Sequence, residues 1–266
     1  MIKIRNKNVA VVSIFLMMAV SPLVCGQPTA KTIMRKSREV SRFKGMESVT
    51  ELHILNNRGG ERIRKIAMAS LSQPGVEKRI IRFLEPADVK GTGLLIFDYE
   101  NKNDDMWMYL PALRKVRRIV SSEKGKSFMG SEFSNADMSA PNLDDFTLTL
   151  KGEQSVDGME CFVIDMIPVS HELIITYGFA RKEVYIGKSD YMLREAHYYD
   201  KNGTLVKVLH AKDIQPVSGS GGKSMARWLS MENKINNRTS WLRILQVRYN
   251  PDVNASMFTT AYLQKQ

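Results

Sequence analysis

Residues 90–138 read KGTGLLIFDYENKNDDMWMYLPALRKVRRIVSSEKGKSFMGSEFSNADM. Residues 94–99, Leu-Leu-Ile-Phe-Asp-Tyr, are rich in β-favouring side chains and predict a buried strand. The turn residues Glu100-Asn101-Lys102-Asn103-Asp104 follow, then a second strand, Met106-Trp-Met-Tyr-Leu, closed by Pro111. Residues 113–119 alternate bulky apolar side chains with a basic set, Arg114, Lys115, Arg117 and Arg118. Such a charge run is either a solvated face or a contact for an anionic headgroup or an acidic partner. Residues 121–145 then turn to Ser, Gly, Lys, Asn, Asp and Pro, with Phe128, Met129, Phe133 and Met138 interspersed. A connection of that length in a compact domain is usually functional or mobile.

The same rhythm continues in both directions. Strands are predicted near 48–56, 61–71, 77–85, 93–99, 105–110, 115–120, 146–151, 159–168, 181–187, 191–200, 204–214, 225–235 and 240–249. Between them stand turn signals such as Asp157-Gly158 and Asn202-Gly203, which supply the positive φ angles of tight hairpins. Strands joined by tight turns make an antiparallel meander rather than a βαβ fold. Several carry apolar residues on both faces: Trp241, Leu245 and Val247 against Leu242 and Ile244, and Leu205, Leu209 and Ala211 against Val206 and Val208. A sheet with one solvated face alternates apolar and polar. Two apolar faces require that both be covered, or that one line a cavity. One leading helix is predicted over 29–44, with Thr29 as its N-cap and Ile33, Met34, Ser37 and Val40 on one face. Its basic remainder fits a helix laid on a sheet or a helix at a membrane surface. Residues 215–224 (QPVSGSGGKS) read as a flexible segment, and no internal repeat or linker divides the chain.

Residues 1–26 carry Lys3, Arg5 and Lys7, an apolar run from Val9 to Val20, and small residues toward Gly26. That is the order of a cleavable secretory signal peptide, and the run is short of the ~20 residues that span a bilayer. The expected organisation is therefore a signal peptide over 1–26 and a single exported domain over 27–266. Cys25 could instead be lipidated, although Val24 stands where a lipidation site wants a small residue. The 266 residues carry a net charge of +11, with 43% hydrophobic and 25% charged residues, so the chain is globular and suited to an anionic partner. Two cysteines, Cys25 and Cys161, exclude a disulfide framework.

Catalytic signatures are absent. Gly222-Lys223-Ser224 resembles the end of a phosphate-binding loop, but position 217 is Val where that loop needs Gly. His171-Glu172 begins like a zinc-protease motif, but position 175 is Ile. The pairs Asp104-Asp105 and Asp144-Asp145 read as turn or cap residues, and Cys161, in an apolar strand, as a core thiol. No catalytic residue, metal or cofactor is expected, and no nucleic-acid partner.

The 90–138 segment resembles the LolA-like outer-membrane lipoprotein-sorting family of Gram-negative bacteria. The matching elements are Lys90-Gly91-Thr92-Gly93, Trp107-Met-Tyr-Leu-Pro111, Arg114-Lys-Val-Arg-Arg118 and Ser127-Phe-Met-Gly-Ser-Glu-Phe-Ser134. Where Tyr-Glu-Asp often follows, this chain has Asn135-Ala136-Asp137. The resemblance implies a mainly β, α+β fold: an open antiparallel half-barrel with helices on its concave face, of the LolA/LolB type. It also implies a non-catalytic periplasmic carrier that binds the acyl chains of lipoproteins or lipids in an apolar cavity for transfer toward the outer membrane. An inner-membrane transporter and an outer-membrane acceptor would be its partners, and a monomer its state. The alternative is a sensor or docking adjunct of a membrane exporter with no cargo of its own. The candidate cavity lining is Phe83, Leu95, Phe97, Trp107, Tyr109 and Phe128. This set depends on strand register, since a one-residue slip reverses a strand. Arg114, Lys115, Arg117 and Arg118 are the candidates for headgroup or partner contact, and the loop 121–138 for a lid. The 16 methionines suit a cavity that repacks around variable chains, or an ordinary adaptable core.

Overall fold

The structure is a computed structural model and describes residues 27–265. The signal-peptide reading and Cys25 lie outside the described residues.

Among the described residues, thirteen strands form one antiparallel sheet. They are β1 (Gly45–Leu55), β2 (Glu61–Gln73), β3 (Val76–Glu85), β4 (Gly93–Tyr99), β5 (Asp105–Leu110), β6 (Lys115–Arg118), β7 (Phe146–Val156), β8 (Met159–Pro168), β9 (Arg181–Gly187), β10 (Leu193–Tyr199), β11 (Leu205–Pro216), β12 (Ser224–Asn233) and β13 (Arg238–Tyr249). Their order across the sheet is β6-β5-β4-β3-β2-β1-β13-β12-β11-β10-β9-β8-β7. Each half of the chain is a meander, and β1 pairs with β13 to join them, with Leu52 opposite Leu242. The sheet is open: β6 and β7 are its two edges. The connection from β6 to β7 must therefore travel from one edge of the sheet to the other, which is why it is long.

Among the described residues four short α-helices accompany the sheet: α1 (Ala30–Ser41), α2 (Ser121–Lys124), α3 (His171–Tyr177) and α4 (Thr260–Leu263). In α1 the Thr29 side chain accepts the Thr32 N–H at 3.2 Å, and Ala30, Ile33 and Ser37 are buried at helical spacing. The helix ends three residues before the predicted 44. Phe43 leaves it to pack with Met46 and Val217, and Gly45 starts β1 so close to Asn250 O that a Cβ would lie 2.1 Å away. Arg38 of α1 pairs with Asp98 of β4 at 2.6 Å, and Lys31 with Asp144, just before β7, at 2.5 Å. A flat sheet would separate β4 and β7 by roughly 48 Å, at ~4.8 Å per strand. A 12-residue helix is only about 18 Å long. The sheet is therefore curled.

Its first face carries one continuous apolar cluster, from Met106 and Met108 of β5 through Leu52, Leu209 and Val184 to Phe146 of β7. Ile33 of α1 and Phe128, Phe133 and Met138 of the β6–β7 connection belong to the same cluster. The second face is apolar over β2–β5, where Ala69, Ile80, Leu95 and Tyr109 pack under Val253, Phe258 and Leu263 of the C-terminal segment. The two-faced strands of this half are thus covered on both sides.

The helix over 171–177 was not predicted. Ser170 caps it by accepting the Leu173 N–H at 3.3 Å, and Gly178 ends it at φ 78°. Residues 215–224 are not a free segment: Val217 is buried, and Lys223 Nζ donates to Glu39 O at 2.8 Å and Arg42 O at 2.5 Å, capping the last turn of α1.

Candidate functional site

The β6–β7 connection forms a small built structure on the first face. Ser127 and Ser134 form a β-bridge, and Phe128 N–H donates to Phe133 O at 2.8 Å. The turn between them has positive φ at Met129 (52°) and Gly130 (78°). That pair of angles is the tight hairpin turn in which the second central position suits Gly. Met129, a non-glycine residue in the left-handed region, is held there by the Arg64 guanidinium, which donates to its carbonyl. Phe128 and Phe133 point into the sheet, each 1% exposed.

Polar contacts pin this element at three places. Buried Glu132 pairs with Arg238 at 3.0 Å and accepts from Asn233 Nδ2 at 2.8 Å; its own N–H donates to Ser240 Oγ at 3.0 Å. Asp137 accepts from the Ser134 N–H and hydroxyl, both at 2.7 Å, and from Tyr198 OH at 3.0 Å. At the far end Asp98 accepts the Ala140 N–H at 2.9 Å, and Asp104 accepts from Ser139 Oγ at 2.8 Å and pairs with Lys124 at 3.9 Å. Burial pushes the Asp98 carboxyl up to about 6, against the opposing pull of Arg38. Asp104 is raised by burial in the same way. Asp104 stands in the turn before β5, as expected, and from there it also anchors the connection through Ser139.

The six predicted lining residues do not meet on one surface. Phe83 and Phe128 lie on the first face with ring centroids 5.8 Å apart. Leu95, Phe97, Trp107 and Tyr109 lie on the second face under the C-terminal segment, with Phe97 and Trp107 edge to face at 5.3 Å. The reason is strand periodicity. Leu94 and Ile96, Met106 and Met108 take the first-face positions of β4 and β5, so their sequence neighbours point away. A strand apolar on both faces gives no polar row to say which side faces the cavity.

The four basic residues do share one place. Arg114, at φ 48°, leads into the edge strand β6, and all four side chains are exposed. Arg117 pairs with Glu123 at 2.8 Å and Arg118 with Asp105, whereas Arg114 and Lys115 make no ion pair among the described residues. Leu113 (62% exposed) and Val120 (52%) flank them.

Two hollows bear on binding. A 610 Å³ groove on the second face, the larger of the two, runs between β1–β3, β13 and the C-terminal segment, with Val49, Ala67, Ile80 and Met257 in its walls and Glu47, Arg82 and Arg248 at its border. A 230 Å³ cavity on the first face lies beneath the β6–β7 connection, walled by Phe133, Met138, Met166, Phe179, Leu209 and Leu242. The smaller one is the better candidate for an apolar ligand, because it lies between the connection and the sheet and its lining is continuous with the main core. Lys182 projects into it from β9. The strand order Arg181-Lys182-Glu183-Val184-Tyr185-Ile186 puts Lys182, Val184 and Ile186 on the first face. A lysine in that apolar row is the signal that sequence reasoning passed over. Among the described residues, no three His, Cys, Asp or Glu side chains group as metal ligands. No described helix is long and apolar enough to cross a membrane.

The fold of this open, curled antiparallel sheet is shared by solved structures of the LolA-like type. A domain described as an outer membrane lipoprotein-sorting protein from Vibrio parahaemolyticus shares it at TM-score 0.81, with 24% identity over 89% of this chain and 98% of that one. A DUF1329 family protein from Desulfovibrio piger matches at TM-score 0.80, with 27% identity over 88% and 97%. A LolA superfamily protein from Nitrosomonas europaea matches at 0.68, with 18% identity over 88% and 99%. A family model described as "Uncharacterized protein" covers residues 75–265. The chain belongs to that family, of the DUF1329 type within the LolA-like fold. No curated protein matches it.

Proposed function

We propose that the protein is a periplasmic carrier that shelters acyl chains of a lipoprotein or lipid on the concave face of its half-barrel and passes them toward the outer membrane without chemistry of its own. In this reading the first face is the concave one, with α1, α3 and the β6–β7 connection seated in it. The observation that carries the reading is the way that connection is held. Its apolar side chains occupy the sheet face where an acyl chain would lie, and its polar groups fix it at Glu132, Asp137 and the Asp98–Asp104 corner. In the proposed cycle the segment exchanges between this seated state and a displaced one, and an incoming chain repays the lost burial at ~0.8 kcal/mol per methylene. The 230 Å³ cavity is then the starting volume, and displacement of the connection enlarges it.

The exposed basic edge favours a second role beside the first. Arg114 and Lys115, free of ion pairs among the described residues and flanked by exposed Leu113 and Val120, suit an acidic surface of a membrane exporter or acceptor. If that were the whole function, the protein would carry no lipid. Native mass spectrometry of protein purified from its own cells, followed by organic extraction, separates the two. Bound acyl lipid supports the carrier. A lipid-free mass, with no uptake of fluorescent fatty acid, contradicts it and leaves the docking adjunct.

A further inference from the structure

Lys182 is a half-buried cation with no direct ion pair among the described residues. Its neighbours across the ladder are Met166 of β8 and Tyr198 of β10, both in the first-face core. Its Nζ lies 4.4 Å from the Tyr198 ring centroid and 5.8 Å from that of Phe179. It makes no hydrogen bond and no ion pair among the described residues. The surface it retains faces the 230 Å³ cavity. Among the described residues the acid that acts on it is Asp137, which makes no ion pair with it: one Asp137 oxygen accepts from Ser134 and the other from Tyr198. The contrast with the other charges of this face is sharp. Lys124 has Asp104, Arg38 has Asp98, Arg79 has Glu77, and Arg64 has the Met129 carbonyl.

An ammonium in an apolar cavity loses its hydration and gains only weak compensation from aromatic faces. Burial accordingly lowers its pKa, with Asp137 the opposing influence. A protein gains nothing in stability from such a group, and an apolar side chain would suit Val184 and Ile186 better. Its chemistry makes sense when an anion enters beside it.

Resting on the carrier reading, we infer that this cavity is an acyl-carboxylate site: the Lys182 ammonium pairs with the carboxylate of a single fatty acyl chain, whose tail lies along Met166, Leu209, Leu229 and Leu242. The volume sets the scale. At ~30 Å³ per water-sized group, 230 Å³ takes between about seven and eight, enough for the tail of an eight-carbon acid. Longer chains displace the β6–β7 connection.

The test uses octanoate, octanol and octyl phosphate, titrated calorimetrically into the whole exported chain and its Lys182→Met and Lys182→Arg variants. The expected result is octanoate at least tenfold tighter than octanol. Lys182→Met removes that preference and leaves octanol within twofold; Lys182→Arg keeps the preference. Proton uptake on octanoate binding, read from the heat difference between two buffers across pH 7 to 10, gives the same answer in unmutated protein if Lys182→Met fails to fold. Equal binding of octanoate and octanol, with no proton uptake, overturns the carboxylate site and leaves the carrier standing. Tighter binding of octyl phosphate than octanoate overturns the choice of carboxylate in favour of a phosphate head. No binding of any of the three overturns both the inference and the carrier reading.

Discussion

Asp98 follows Leu94 and Ile96 on the first-face row of β4, where a carboxylate is costly unless a partner holds it. Its pKa of about 6 has a definite sign in stability. Between its unfolded value near 4 and about 6, the folded chain keeps a proton that the unfolded chain releases, so this group's contribution falls as pH rises through that window. Two pKa units correspond to about 3 kcal/mol. Asp98→Asn is therefore expected to flatten the pH dependence of urea unfolding between pH 4 and 6 relative to wild type; an unchanged slope would place the titrating group elsewhere. For Lys182 the sign is opposite. Its lowered pKa means that stability rises with pH from the folded value toward 10.5, and Lys182→Met should raise the midpoint of unfolding at pH 7. Neither residue stands out in the sequence as more than a charge in a strand. Lys182 was detectable, because Val184 and Ile186 define its row; Asp98 was not, because Phe97 and Tyr99 make the opposite row equally apolar.

At the scale of elements the strands were almost fully legible. Turn dipeptides and β-branched runs located all thirteen, and β4, β5, β8 and β9 end where they were expected. Boundaries moved where packing decided them: β7 runs on to Val156, paired with Met159, beyond the apolar run that ended the prediction. Helix α3 was missed although Ser170 and Gly178 bracket it, because seven residues carry too short a period to read. The 121–145 connection was correctly singled out, but composition could not say that it is seated. Glu132→Ala should loosen it by taking the carboxylate away from Arg238 Nε and Asn233 Nδ2. Hydrogen exchange over 126–138 should speed up at least tenfold, while β1–β3 keep their protection. Phe128→Ala, at a side chain 1% exposed, is expected to cost about 3–5 kcal/mol in urea unfolding. A cost below 1 kcal/mol would mean that the connection leaves the sheet readily.

For the whole molecule, the pairing of β1 with β13 is the long-range fact that local sequence cannot supply. It turns two meanders into one sheet and places β6 and β7 at opposite edges. The length of the 121–145 connection and its position across the first face follow from that arrangement. So does the division of the predicted lining residues between two faces. The C-terminal segment covers Leu95 and Tyr109, and leaves the first face to the connection and its cavity. The two hollows make rival sites, and methionines distinguish them: Met138 and Met166 line the first-face cavity, Met257 the second-face groove. Methyl NMR of the methionines during an octanoate titration therefore tests the central claim most directly. The account predicts that the Met138 and Met166 methyls shift and saturate together while Met257 stays in place. Shifts confined to Met257 would move the ligand to the opposite face of the sheet and contradict the account.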